Sequence, residues 1–177
     1  MNTYVLIGAG MGTEAMLTQQ ARQAIQRADI VLSTGRLADG LTSVRANVQT
    51  LAFSQLAQRA QDSTGTVAIL LSGDTGFYSA AKSLTQKLCG SGTVEILPGI
   101  SSIQLFCARF HTAYDDAVLL SLHGRSGALL APVSYNRKVI MLTGGEPMLH
   151  PEIIREAVAE IRAQTQAPIY LYTARTQ

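Results

Sequence analysis

The order of residues predicts an α/β protein built on a mostly parallel sheet, and three observations predict it. Short apolar or β-branched runs alternate with stretches of helical period, glycine-bearing turns separate them, and Val67-Ala68-Ile69-Leu70-Leu71 carries no polar residue on either face. Alternation gives the class, and an unrelieved apolar run is what a strand covered on both sides requires.

Tyr4-Val5-Leu6-Ile7 reads as the first strand, closed by Gly8-Ala9-Gly10-Met11-Gly12. Ala15, Met16, Ala21, Ala24, Ile25 and Ala28 then recur at mostly helical spacing, so the chain opens as strand, glycine loop and helix. Residues 29–33 read as a second strand, 55–61 as part of a helix, and 66–71 as a buried strand halted by Ser72-Gly73-Asp74-Thr75-Gly76. A helix over 77–88, a strand over 94–97, a turn at Pro98-Gly99-Ile100 and a helix over 101–110 follow; Ser101 and Ser102 are natural cap types. The pattern pauses in the polar stretch 110–116. A second set then begins, with strands at 117–122 and 138–143, a helix at 151–163 and a strand at 168–172. The pause divides the chain into an N-terminal α/β lobe, 1–112, and a C-terminal α/β lobe, 113–177. No internal repeat or low-complexity tract interrupts either one.

The composition excludes several classes of function. Of the 177 residues 47% are hydrophobic and 15% charged, which is a folded chain and not a disordered one. Fourteen Lys and Arg against twelve Asp and Glu leave a net charge of +2. No stretch concentrates them into the basic stripe that nucleic-acid binding needs, so no nucleic-acid partner is expected. The longest apolar runs are far short of a bilayer span, and no cationic-then-apolar leader opens the sequence. A cytoplasmic protein is expected. Cys89 and Cys107 lack the spacing of a zinc knuckle or a redox pair, and His111 and His150 have no neighbouring ligand type at metal spacing, so neither a metal nor a disulfide is expected.

The first glycine loop invites a dinucleotide-binding reading, but Thr13 stands where the third glycine of GxGxxG belongs, and Asp29 opens the second strand instead of closing it. A tight turn alone would account for this loop. No Gly-Lys pair occurs, which excludes a P-loop. The three punctuated strand ends, 8–12, 72–76 and 98–102, carry more, because a parallel sheet sets all three on one edge, where ligands gather. Glycine backbone can approach a ligand closely, Asp74 can accept from a hydroxyl or ammonium, and Ser101 and Ser102 offer hydroxyls and helix N-terminal amides to a carboxylate. A nucleoside carrying an amino acid has those needs.

Val5-Leu6-Ile7-Gly8-Ala9-Gly10-Met11-Gly12, Ser72-Gly73-Asp74-Thr75-Gly76-Phe77-Tyr78-Ser79, Pro98-Gly99-Ile100-Ser101-Ser102-Ile103-Gln104 and Ser121-Leu122-His123-Gly124-Arg125 together resemble the tetrapyrrole methylases. Within that family the Gly-Phe-Tyr-Ser and Ser-Ser-Ile-Gln segments, the Asp115-Asp116 pair and above all Ser-Leu-His-Gly-Arg resemble the C5-methylating branch. Its members act on a (cobalt-)precorrin in corrin-ring synthesis, alone or as the N-terminal half of a bifunctional C5,15 enzyme. The likeness covers about residues 3 to 145. It implies a two-lobed fold with S-adenosylmethionine in the cleft between lobes, a homodimer, a tetrapyrrole substrate, and a separate partner for C15 methylation and decarboxylation. Carried over by position, the cofactor would meet Met11, Ser72, Gly73, Asp74, Phe77, Ser101, Ser102, Leu142 and Thr143. The ring would sit by Gly10, Arg36, His123 and Arg125.

Two departures qualify the resemblance. Thr75 stands where the second motif commonly has proline, which is expected to loosen a preset turn. Relatives continue past 169–172 with two further strands, and this sequence stops at Gln177, so a trimmed C-terminal lobe is expected. Gly144-Gly145-Glu146 also resembles a segment of radical S-adenosylmethionine enzymes, whose CxxxCxxC cluster is missing from this chain.

Methyl transfer to an electron-rich ring carbon needs positioning more than a side-chain nucleophile. His123 or Asp116 could take the proton lost after methylation. His123 reads equally as a turn-capping residue, and Asp115-Asp116 equally as a turn. Arg36 and Arg125 suit the ring's acetate and propionate groups, or are solvated surface arginines. Arg109 and Lys82 read as exposed-face charges, and Met11, Met16, Met141 and Met148 as core or cleft filler. The competing functions are a methylase acting at another ring carbon and a non-catalytic S-adenosylmethionine-binding or scaffolding lobe.

Overall fold

The computed structural model describes residues 2–121, 138–142, 151–166 and 169. They fall into two compact units, Met1–Leu105 and Phe106–Gln177.

In the first unit β1 (Asn2–Gly8), β2 (Ile30–Ser33), β3 (Val48–Thr50), β4 (Thr66–Leu71) and β5 (Gly92–Leu97) form one sheet in the order β3-β2-β4-β1-β5. Every pairing is parallel, with Gly8 opposite Leu71 and Ile7 opposite Leu97. Side chains alternate across a strand, so each strand feeds two cores. Val5, Ile7, Val31, Ala68, Leu70 and Leu97 face α1 (Gln19–Arg27) and α2 (Gly35–Gly40), which add Ala21, Ile25 and Leu37. Tyr4, Leu6, Leu32, Val67, Ile69 and Leu71 face α3 (Phe53–Gln61) and α4 (Ala81–Leu88), which add Leu56, Ala60, Leu84 and Leu88. Burial on both faces is why 67–71 is apolar throughout.

Helix starts differ most from the sequence expectation. The segment expected as one helix from Ala15 is a single 3-10 turn, Glu14–Met16, then extended residues, then α1. Thr18 causes the break, because its side chain accepts from the Ala21 amide at 3.1 Å and so caps a new helix. α4 begins at Ala81 and not Phe77, since Phe77 and Tyr78 stay in the turn and the Ser79 hydroxyl oxygen accepts from the Ala81 amide. α2, of six residues, and β3, of three, are too short to print a periodicity, and the sequence did not reveal them.

α5 (Ser102–Arg109) crosses from the first unit to the second, ahead of the 112/113 pause. Helical spacing runs through that point, so the sequence carries no mark of it. In the second unit β6 (Val118–Ser121) and β7 (Val139–Leu142) pair in parallel, with Ser121 opposite Leu142. α6 (Pro151–Gln164) buries Ile161. The strand expected at 168–172 lies, apart from Ile169, outside the described residues. No helix among the described residues is long and apolar enough to cross a membrane.

Candidate functional site

The strand order creates a crevice. From β1 the chain passes to α1 on one face, and from β4 it passes to α4 on the other. β1 and β4 are neighbours, so their C-terminal ends form the switch point at which open α/β sheets bind ligands.

Backbone closes the floor of this crevice. The Gly10 amide donates to Gly73 O at 3.2 Å, the Gly73 amide returns a bond to Gly10 O at 2.7 Å, and the Ala9 amide donates to Leu71 O at 2.7 Å. Gly73 has φ +71°, a left-handed conformation that costs glycine nothing. A Cβ there would meet Ser101 Cα at 3.9 Å, an ordinary contact with the third turn. A Cβ at Gly99 would lie 2.3 Å from Gly73 O and 2.5 Å from Gly8 O. The third turn therefore packs directly on the other two.

Asp74 fastens the second turn to the third. Its Oδ1 accepts from the Gly99 amide and its Oδ2 from the Gly76 amide, both at 3.0 Å. With both oxygens held by backbone, its first task is to align the turns, a role the sequence reading did not give it. Thr75 helps in a way proline could not: its hydroxyl donates to Leu97 O at 3.2 Å, so the turn expected to loosen gains a tether to β5. Ser101 and Gln104 cap α5 reciprocally. The Gln104 amide donates to Ser101 Oγ at 3.2 Å and the Ser101 amide to Gln104 Oε1 at 2.7 Å. The sequence signal was the Ser-x-x-Gln spacing, and the role of Gln104 was missed.

Around this floor stand the expected ligand residues of the first unit. Gly10 is buried, Met11, Gly73, Phe77 and Ser102 are half-buried, and Ser72 is exposed. Phe77 and Tyr78 meet edge to face with centroids 4.8 Å apart, and Tyr78 has φ +45°, unusual for a bulky residue. Arg36, from the first turn of α2, reaches the second glycine turn, where its Nη2 donates to Ser72 Oγ at 2.7 Å. Two residues predicted for different ligands thus touch.

The exit of the first turn has its own tie, also absent from the sequence reading. Glu14 accepts from the Ser43 hydroxyl at 2.6 Å and pairs with Arg22. The Ser43 bond, aided by Arg22 against a desolvation effect, holds the Glu14 carboxyl below its ordinary value.

In the second unit Lys138 Nζ donates to Asp116 Oδ1 at 2.6 Å and to Ala113 O at 2.8 Å. The Lys138 bond holds the Asp116 carboxyl below the usual carboxylate range. Asp116 is thus paired with Lys138, a partner the sequence reading did not give it. Leu142 ends β7. His123, Arg125 and Thr143 lie outside the described residues. Both cysteines are free, Cys89 exposed and Cys107 buried, with the Cys107 thiol pushed up by desolvation. Among the described residues no group of three His, Cys, Asp or Glu could hold a metal.

Residues 3–172 match the family model of the Tetrapyrrole (Corrin/Porphyrin) Methylases. The cobalt-precorrin-7 C(5)-methyltransferase of Salmonella typhimurium is 30% identical over 161 residues, covering 87% of this chain and 77% of that protein. The decarboxylating precorrin-6Y C(5,15)-methyltransferase of a Sinorhizobium species is 30% identical over 139 residues, 72% of this chain and 32% of that longer protein. Among solved structures, the methyltransferase CobJ superposes with a TM-score of 0.69 at 17% identity, over 94% of this chain and 77% of that one.

Proposed function

The chain belongs to the tetrapyrrole methylases, and from that premise we propose that it is an S-adenosylmethionine-dependent C-methyltransferase acting at C5 of a (cobalt-)precorrin in corrin-ring synthesis. The observation that carries the reading is the convergence of three turns on the crevice between β1 and β4, in a chain whose similar relatives include enzymes of that name. The residues present fit such a cofactor. Glycine backbone lines the floor, and the Ser72 side chain beside it is exposed.

When bound, the cofactor supplies a methyl group on a sulfonium, which an electron-rich ring carbon can take without a side-chain nucleophile. The chain's own work is then positional. Asp74 fixes the second and third turns against each other, and the reciprocal cap of Ser101 and Gln104 fixes the start of α5. Carried over from the family resemblance, Met11, Ser72, Gly73, Asp74, Phe77, Ser101, Ser102, Leu142 and Thr143 are the residues assigned to the cofactor. Gly10, Arg36, His123 and Arg125 are by the same carry-over assigned to the ring, and His123 or Asp116 to the proton that the ring loses. A homodimer, a cytoplasmic location and a separate partner for C15 methylation and decarboxylation belong to the same reading.

Isothermal titration with S-adenosylhomocysteine, with NAD as the control, tests the cofactor. Saturable one-site binding of the first alone is expected. Methyl transfer to cobalt-precorrin-7 then tests the acceptor. Binding of NAD in place of S-adenosylhomocysteine would overturn the cofactor, and binding without turnover would overturn the enzyme in favour of a scaffold.

A further inference from the structure

Among the described residues two that are not glycine hold a left-handed backbone, Tyr78 at φ +45° and His111 at φ +49°. His111 has a local reason. The Thr112 amide donates to Cys107 O at 2.9 Å and the His111 amide to Ala108 O at 3.3 Å, the paired bonds by which a helix closes through one left-handed residue, here at the end of α5. Tyr78 has no such reason, because β4 ends at Leu71, α4 starts at Ala81, and no helix stops between them. A bulky residue in this conformation is strained, and strain of that kind persists only where the surroundings impose it.

The surroundings of Tyr78 do impose it. On the N-terminal side Asp74 holds the Gly76 and Gly99 amides, the Thr75 hydroxyl donates to Leu97 O, and the Phe77 amide donates to Asp74 O at 3.4 Å. On the C-terminal side Ser79 Oγ accepts from the Ala81 amide at the start of α4. The side chain so placed is 61% exposed, against 48% for Ile96 and less for Phe53, Phe110 and Tyr114. It is nevertheless fixed, since Phe77 meets it edge to face and sets the attitude of its ring. Strain and solvent exposure both work against the fold, and both fall on one aromatic residue in the segment that leaves β4 at the crevice.

We propose that Tyr78 is a contact for the substrate ring: its aromatic face packs on the conjugated macrocycle, and the fold accepts a left-handed backbone at this position to hold it there. This rests on the methyltransferase reading, whose carry-over assigns Phe77 to the cofactor and gives Tyr78 no role. Phe77 is half-buried and Tyr78 is the more exposed of the touching pair, so the larger ligand is the one that covers it. A tyrosine offers a broad apolar face at low entropy cost, because few torsions have to be frozen and here the ring is already held.

Tyr78→Phe, Tyr78→Ala and Tyr78→Gly test both halves of the proposal beside the unaltered chain. Each is titrated with S-adenosylhomocysteine and then, with that ligand saturating, with cobyrinic acid, a carboxylated corrin; a thermal melt accompanies every titration. Alanine and glycine are expected to weaken cobyrinic acid by about tenfold, phenylalanine to keep its affinity, and all three to bind S-adenosylhomocysteine as the unaltered chain does. The melts separate the backbone from the ring. Glycine adopts the left-handed conformation freely and alanine does not, so Tyr78→Gly should melt above Tyr78→Ala while the two lose the corrin equally. Equal melts would overturn the strain. Full affinity of Tyr78→Ala and Tyr78→Gly for cobyrinic acid, or a loss confined to S-adenosylhomocysteine, would overturn the ring contact, and a phenylalanine variant as weak as the alanine one would overturn stacking. If the unaltered chain binds S-adenosylhomocysteine and not cobyrinic acid, the ring contact falls and the cofactor stands. If it binds neither, the methyltransferase reading falls with it.

Discussion

At the N-terminal end of the five-stranded sheet side chains reach across to neighbouring loops, whereas at the C-terminal end glycine backbone shares the tying with Asp74 and Thr75. Asn2 Nδ2 donates to Ser63 O at 2.7 Å, the Tyr4 hydroxyl donates to Ser91 O at 3.4 Å, and Asp29 Oδ2 accepts from the Thr66 amide at 2.7 Å. At the other end Gly10 and Gly73 bond each other directly, and Gly99 packs against both Gly8 and Gly73. An end closed by side chains has used its polar groups and offers little to a ligand. The end closed in part by glycine backbone keeps Arg36 and Ser72 exposed. If the proposed cofactor site is right, variants at the two ends should separate stability from binding.

The largest effect is expected from Gly99→Ala. Its Cβ would sit 2.3 Å from Gly73 O, and neither atom belongs to a flexible side chain, so the three turns must part. A loss of about 3 kcal/mol in urea unfolding, with loss of S-adenosylhomocysteine binding, is expected. An unchanged melt with full binding would break the comparison at its centre.

Asp74→Ala comes next. Removing the carboxylate that holds the Gly76 and Gly99 amides should cost about 2 kcal/mol and weaken S-adenosylhomocysteine, while the melt stays cooperative. Full affinity in a cooperatively folded variant would show that the turns keep their places without it.

Asp29→Ala tests the opposite end. It removes the bond to the Thr66 amide and should cost about 1 kcal/mol in urea unfolding, with S-adenosylhomocysteine affinity unchanged. A fall in affinity there would mean that the two ends are coupled through the sheet.

The smallest effect is pH-dependent. Glu14, at the exit of the first turn, has a folded-state pKa below its ordinary 4.5, so its stabilising effect is fully present above that value. As pH falls through the lower folded value, the effect disappears. Glu14→Gln should therefore lower the melting temperature slightly at neutral pH and converge with the unaltered chain in acid. A gap that widens in acid would contradict the assignment.

The chain class and the strand ends were legible because they rest on local chemistry. β4 was read to the residue, since an apolar run closed by Ser-Gly-Asp leaves no other register. α2 and β3 were not legible, being held by neighbours more than by any pattern of their own. At the site, the sequence singled out Ser72, Asp74 and Arg36 but not their partners. Ser72 and Arg36 are separated by 36 positions, and Asp74 and Gly99 by 25. No local spacing encodes such pairs.

The sequence by itself determined the alternation of strands and helices, the three glycine turns and the family they resemble, because hydrophobic period and turn chemistry act over a few residues. Only the tertiary structure decided that Asp74 faces backbone amides, that Thr75 replaces a proline with a tether, and that Arg36 leans on Ser72. Those outcomes depend on the strand order β3-β2-β4-β1-β5, which brings distant turns to one edge. Once there, a few ångströms fix which donor meets which acceptor.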